Sequence, residues 1–63
     1  MILNKYPLDG ETYVNYEGHA YNLSNGVKMP NGKTYLTLDS FRILVITPTE
    51  NEDLVDAYVD YSG

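Results

Sequence analysis

The chain has no cysteine and no tryptophan, a single phenylalanine and a single histidine. Without cysteine a disulfide is excluded, and with His19 as the only good nitrogen ligand a structural zinc site is all but excluded. The longest apolar run, Ile43-Leu44-Val45-Ile46, is far too short to span a bilayer. The opening Met1-Ile2-Leu3-Asn4-Lys5-Tyr6-Pro7 lacks the basic start and apolar stretch of a signal peptide. These absences suit a reducing compartment, and the expected location is cytoplasmic. Asn22-Leu23-Ser24 matches a glycosylation sequon, which without a secretion signal is discounted.

Basic charge is scarce as well. Lys5, Lys28, Lys33 and Arg42 balance Asp9, Glu11, Glu17 and Asp39, so residues 1–49 are neutral. Residues 50–63 hold Glu50, Glu52, Asp53, Asp56 and Asp60 with no Lys or Arg, which is the whole net charge of −5. Phosphate contact needs clustered cations, so direct nucleic-acid binding is not expected. Anionic membrane surfaces are excluded on the same ground.

At 63 residues the chain makes one small domain, 1–63. A domain of this size buries only about 60% of the surface its unfolded chain exposes, so its stability is marginal. An efficient aromatic core, homo-oligomerisation or a bound partner would supply the remainder. With one Phe and seven tyrosines, the tyrosines are expected to carry that core, Tyr13, Tyr21 and Tyr35 foremost.

Turn signals recur at short intervals. Asp9-Gly10, Glu17-Gly18, Asn25-Gly26 and Asn31-Gly32 each place a glycine where a reversal can need positive φ. No helix fits before residue 47. Between the turns lie segments rich in β-formers: 11–16, 19–23, 27–29 and 33–38, followed by 41–46 as the apolar central strand, covered on both faces. Pro30 closes the short Val27-Lys28-Met29 segment, which suits an edge.

Residues 47–63 support two readings. Thr47 with Pro48, or Thr49 with Glu52 as a capping box, are helix starts. A helix would gather Leu54, Val55, Tyr58, Val59 and Tyr61 on one side and most of the acids opposite. A strand would alternate Val55, Ala57, Val59 and Tyr61 with Asp56, Tyr58 and Asp60. The helix is the preferred reading. The expected class is therefore α+β, mainly β: a small curled antiparallel sheet or partly open barrel of about five short strands, with a C-terminal segment packed on it or added to it.

No constellation for catalysis stands out. His19 has no nucleophile motif beside it, serine is confined to Ser24, Ser40 and Ser62, and the expected partner of His19 is Glu17 across the turn. The acids lack the spacing of a calcium loop. The chain is expected to be no enzyme, with no cofactor and no metal. The candidate partner-binding residues are Glu50, Glu52, Asp53, Asp56, Tyr58, Asp60 and Tyr61, where one-sided charge meets amphipathic rings. They point to a protein–protein interaction module, a small acidic inhibitor, phage or mobile-element encoded, that docks on a basic, nucleic-acid-binding surface of its target. The alternative is a structural subunit or SH3-like adaptor of a larger assembly, a virion component included, joined through the edge at Val27–Met29 by strand addition or through the apolar side of the last segment by burial.

Overall fold

Tight reversals set the architecture. In the computed structural model, which describes residues 1–61, Asp9 and Gly10 both have positive φ (52° and 81°), as do Glu17 and Gly18 (51° and 77°). Two successive positive-φ residues make the two-residue hairpin turn whose twist matches its strands. These turns join β2 (Tyr6–Leu8), β3 (Glu11–Tyr16) and β4 (His19–Asn22) into a three-stranded antiparallel sheet.

A single 3₁₀ turn, Leu23–Asn25, leads out of β4, with the Asn22 side chain accepting from the Ser24 amide. The second sheet has five strands in the order β1-β8-β7-β6-β5, all antiparallel. Its strands are β1 (Ile2–Asn4), β5 (Val27–Lys28), β6 (Thr34–Thr37), β7 (Arg42–Pro48) and β8 (Leu54–Tyr61). The fold is mainly β, with two antiparallel sheets and almost no helix.

The preferred helix at residues 47–63 is thus corrected to a strand, and Ser62 and Gly63 lie outside the described residues. The reason is pairing. β8 matches β7 over seven residue pairs, from Arg42↔Tyr61 to Pro48↔Val55, and carries β1 on its other edge. A helix there would leave β7, the most apolar strand, with one side of its backbone unpaired. The helix-start residues serve the hairpin loop instead. The Thr49 hydroxyl lies 2.9 and 3.0 Å from the Asn51 and Leu54 carbonyls and accepts from the Asn51 amide at 3.2 Å. The Asn51 carboxamide accepts from the Asp53 amide at 2.9 Å. Short polar side chains satisfy loop backbone by the same local bonds that cap helices, so one sequence signal fits both.

The core lies between the sheets. Leu36, Leu44, Ile46, Val55 and Ala57 of the five-stranded sheet meet Val14 of the other, and Leu3, Tyr16, Tyr21 and Leu23 pack around them. β7 is central in its sheet, as expected, but its two faces are covered differently. Leu44 and Ile46 face the other sheet, whereas Val45, on the outer face, is fully buried between its cross-strand neighbours Tyr35 and Tyr58.

Three further expectations need correction. The fully buried core is aliphatic, since no tyrosine is in the buried set and Phe41 is 68% exposed just before β7 begins. The sheets contain eight strands rather than about five, because β8 is a strand and because β1 and β2 are three-residue strands with no turn signal between them. Gly26 is not a positive-φ turn: its φ is −82°, and it is there for space. A Cβ on Gly26 would come within 2.5 Å of Thr34 Cγ2 and 3.0 Å of the Tyr35 carbonyl oxygen.

That contact predicts an overpacking penalty. Gly26→Ala should lose about 1–3 kcal/mol in urea unfolding, and adding Thr34→Ser, which removes the clashing methyl, should recover part of it. An unchanged midpoint in the single variant would contradict this packing.

Candidate functional site

The strand at β8 decides where the acids go. Val55, Ala57 and Val59 turn inward, so Asp56, Tyr58 and Asp60 all project from the outer face of the five-stranded sheet. At a rise of about 3.4 Å per residue, Asp56 and Asp60 stand roughly 14 Å apart along the strand with Tyr58 between them. Cross-strand register extends this into rows. Val27, Tyr35, Val45 and Tyr58 lie side by side across β5, β6, β7 and β8. Ile43 sits beside Asp60, and Thr47 and Ile2 flank Asp56.

The row is open to solvent at both ends. Tyr58 is 48% and Val27 63% exposed, while Ile2 is 59% exposed next to Asp56. The Lys33 ammonium lies over the Tyr58 ring, 5.8 Å from its centroid, within cation–π range. The face is therefore an apolar row that ends at Tyr58, with one basic side chain over the Tyr58 ring and Asp56 and Asp60 on either side of it along β8.

The candidate residues are not all brought together. Asp56, Tyr58 and Asp60 share the outer face, whereas Glu50, Glu52 and Asp53 sit in the loop at the tip of the β7–β8 hairpin. Tyr61 has the opposite parity, lies across from Arg42 and is 69% exposed at the end of the strand. Sequence reasoning missed the contribution of Val27, Tyr35, Val45 and Lys33 to the face. The alternation in 33–38 that turns Tyr35 away from Leu36 was the available signal, and only the register of β6 on β7 converts it into a neighbour of Tyr58.

The charges are unevenly satisfied. Arg42 pairs with Asp39 and with Glu17, both at 2.8 Å, and so ties the β3–β4 turn to the β6–β7 loop. Glu17 is thus Arg42's partner, correcting the expected pairing with His19, whose ring instead meets the edge of Tyr21 at 6.4 Å. Asp56 faces the Met1 ammonium at 3.4 Å. Among the described residues Glu50, Glu52, Asp53 and Asp60 have no ion-pair partner. No three His, Asp or Glu side chains gather as a metal site among the described residues, and no helix is long and apolar enough to cross a membrane.

No protein-family model, curated protein or solved structure matches this chain, so its functional reading rests on its own residues.

The Arg42 pair has a pH signature. The Phe41 amide and then the Arg42 side chain hold the Asp39 carboxyl below its ordinary value of 3.8, and Asp39 and Glu17 in turn raise Arg42 further beyond the range of titration. A depressed carboxyl stabilises the fold above its unfolded pKa, and that contribution is lost as pH falls through the lower folded value. Asp39→Asn should therefore melt below the parent at neutral pH, with the gap shrinking as pH falls below the ordinary carboxyl value of 3.8. A gap independent of pH would show that the Asp39 charge contributes nothing to stability.

Proposed function

We propose that this chain is a non-enzymatic protein-binding module that docks on a basic protein surface through the outer face of β8 and the adjoining hairpin tip. The observation that carries the reading is the open row on that face, with Tyr58 between Asp56 and Asp60 and apolar neighbours beside it. An interface needs a desolvated anchor, which the Tyr58 ring offers with little rotamer entropy to lose. It also needs charge to steer encounter. The acids without a cationic partner supply it for a basic target and penalise an acidic one.

The same chemistry suits an inhibitor, phage or mobile-element encoded and acting in the cytoplasm, that covers a nucleic-acid-binding surface. Such a surface is already built to receive negative charge beside flat rings. The strand gives this reading a particular form. Two carboxylates flank an apolar centre while three more stand at the loop tip, so the target should offer an apolar or aromatic patch ringed by Lys and Arg. The adaptor alternative, by strand addition at Val27–Met29, has less support, because β5 is only two residues long and offers a short template.

Lys33 supplies a sharp test. It occupies the ring face that an incoming cation would take. Lys33→Ala should strengthen binding to the basic partner, whereas Tyr58→Ala should weaken it by about 30-fold or more, the scale of an interface hot spot. Changing Asp56 and Asp60 to Asn should slow association and flatten its salt dependence, since screening acts over a Debye length of about 8 Å. The measurement is kinetic binding to the protein captured from lysate at low salt, with duplex DNA and RNA as competitors. A captured partner indifferent to salt, to nucleic acid and to these four side chains would refute the reading.

A further inference from the structure

The chain's basic side chains are as unevenly placed as its acids. At the end of the sheets away from Arg42, a half-open cleft of about 400 Å³ lies between the five-stranded sheet and β3. Two of the four basic residues, Lys5 and Lys28, line it, and no Asp or Glu does, although the chain has nine. Register explains the arrangement. Lys28 pairs with Thr34 and Thr34 with Ile46, so Lys28 shares the inward parity of the core strand rather than the parity of the outer face. Lys5 stands where the chain passes from β1 to β2, its amide donating to the Asp53 carbonyl at 2.8 Å. Neither ammonium has a carboxylate at ion-pair distance among the described residues.

The rest of the lining divides by polarity. Ile46 and Val55, members of the core, form an apolar floor, while Thr12, Ser24 and Thr34 add hydroxyls. A half-open cleft of mixed lining, with an apolar floor and polar walls and a volume within the usual range of about 300–1,000 Å³, is large enough for a small amphiphilic molecule. A chain of net charge −5 repels anions at long range, so an anion recognised here must be held locally by these two lysines.

We propose that the Lys5–Lys28 cleft binds a small organic anion with a short aliphatic body, its head between the ammonium groups and its tail on the Ile46–Val55 floor. The cleft lies on the other side of the sheet from the outer face of β8, although Lys5 adjoins the hairpin tip through its amide bond to the Asp53 carbonyl. Lys5 and Thr12 also line a second cavity, of about 170 Å³, together with Glu52 and Asp53.

The test is titration of the isotope-labelled chain with octanoate, octyl phosphate, octanol and octylammonium, followed by amide and lysine side-chain NMR. Saturable binding of an anion, with a Kd below about 1 mM and shifts at Thr12, Lys28, Thr34 and Val55, is expected, and the better of the two anions names the head group. The double variant Lys5→Gln/Lys28→Gln should lose at least about tenfold in affinity, while Lys5→Arg/Lys28→Arg and the outer-face variant Lys33→Gln should retain it; each variant's spectrum reports whether it is folded. Octanol binding as tightly as the anions, loss of affinity in Lys33→Gln, or no saturable binding of either anion would overturn the proposal.

Discussion

The register between β7 and β8 is the constraint on which the rest of this molecule depends. It runs over seven pairs and sends Val55, Ala57 and Val59 to the same side as Leu44 and Ile46. A slip of one residue would exchange every inward side chain of β8 for an outward one, driving Asp56, Tyr58 and Asp60 into an apolar core. Burial of uncompensated carboxylates is so costly that the slipped state is not a competitor. The Thr49 and Asn51 bonds in the loop fix the same register from the other end, by satisfying backbone groups that a longer or shorter turn would leave unpaired. Core and candidate docking face are thus two results of one pairing, read from alternate residues.

Much of this was legible before the structure, and the misses share a cause. The Asp9-Gly10 and Glu17-Gly18 turns, the apolar centre at Ile43–Ile46 and the strands expected over 11–16, 19–23 and 33–38 are all local signals, and they hold, the last two shortened to His19–Asn22 and Thr34–Thr37. The alternation of Val55, Ala57 and Val59 was also visible. It competed with two helix-start patterns whose side chains bond backbone amides in loops as readily as at helix ends. What separates the readings is non-local: β7 needs a partner on each side, and only β8 can be the second. The strands β1 and β2 escaped notice for a related reason. Three-residue strands carry almost no pattern, and β1 exists because the outer edge of β8 pairs it. On the candidate site, the trio Asp56, Tyr58 and Asp60 could be read from sequence once a strand was assumed, whereas its apolar neighbours Tyr35 and Val45 are set by register alone.

The net charge conceals a division into zones. Arg42 takes up both Glu17 and Asp39, leaving the acids of the last strand and its loop without a Lys or Arg partner among the described residues. The three lysines separate as well. Lys33 lies on the outer face against Tyr58, while Lys5 and Lys28 line the cleft on the opposite side of the sheet. The five-stranded sheet therefore presents mostly negative charge on one side and positive charge at one corner of the other. Alternation along a strand makes this possible in so short a chain, because adjacent residues such as Val27 and Lys28 face opposite ways.

The aliphatic core changes what the tyrosines are for. Val14, Leu44 and Val45 are the largest fully buried side chains, so no ring is needed to fill the centre. The rings instead seal surfaces. Tyr6 stacks on Tyr13 at 6.0 Å, Tyr16 and Tyr21 close over the core, and Tyr35 and Tyr58 cover Val45 where no second layer exists. Tyr58 consequently has two tasks on one ring: it lies across from the buried Val45 on the outer face, and, half exposed beneath Lys33, it is the contact proposed for a partner. A residue in that position links docking to folding, since a partner that covers the outer face also extends the burial of Val45 and Tyr35. In a domain too small to have stability to spare, an incomplete outer layer of this kind is both a weakness in isolation and the place where a bound partner adds most.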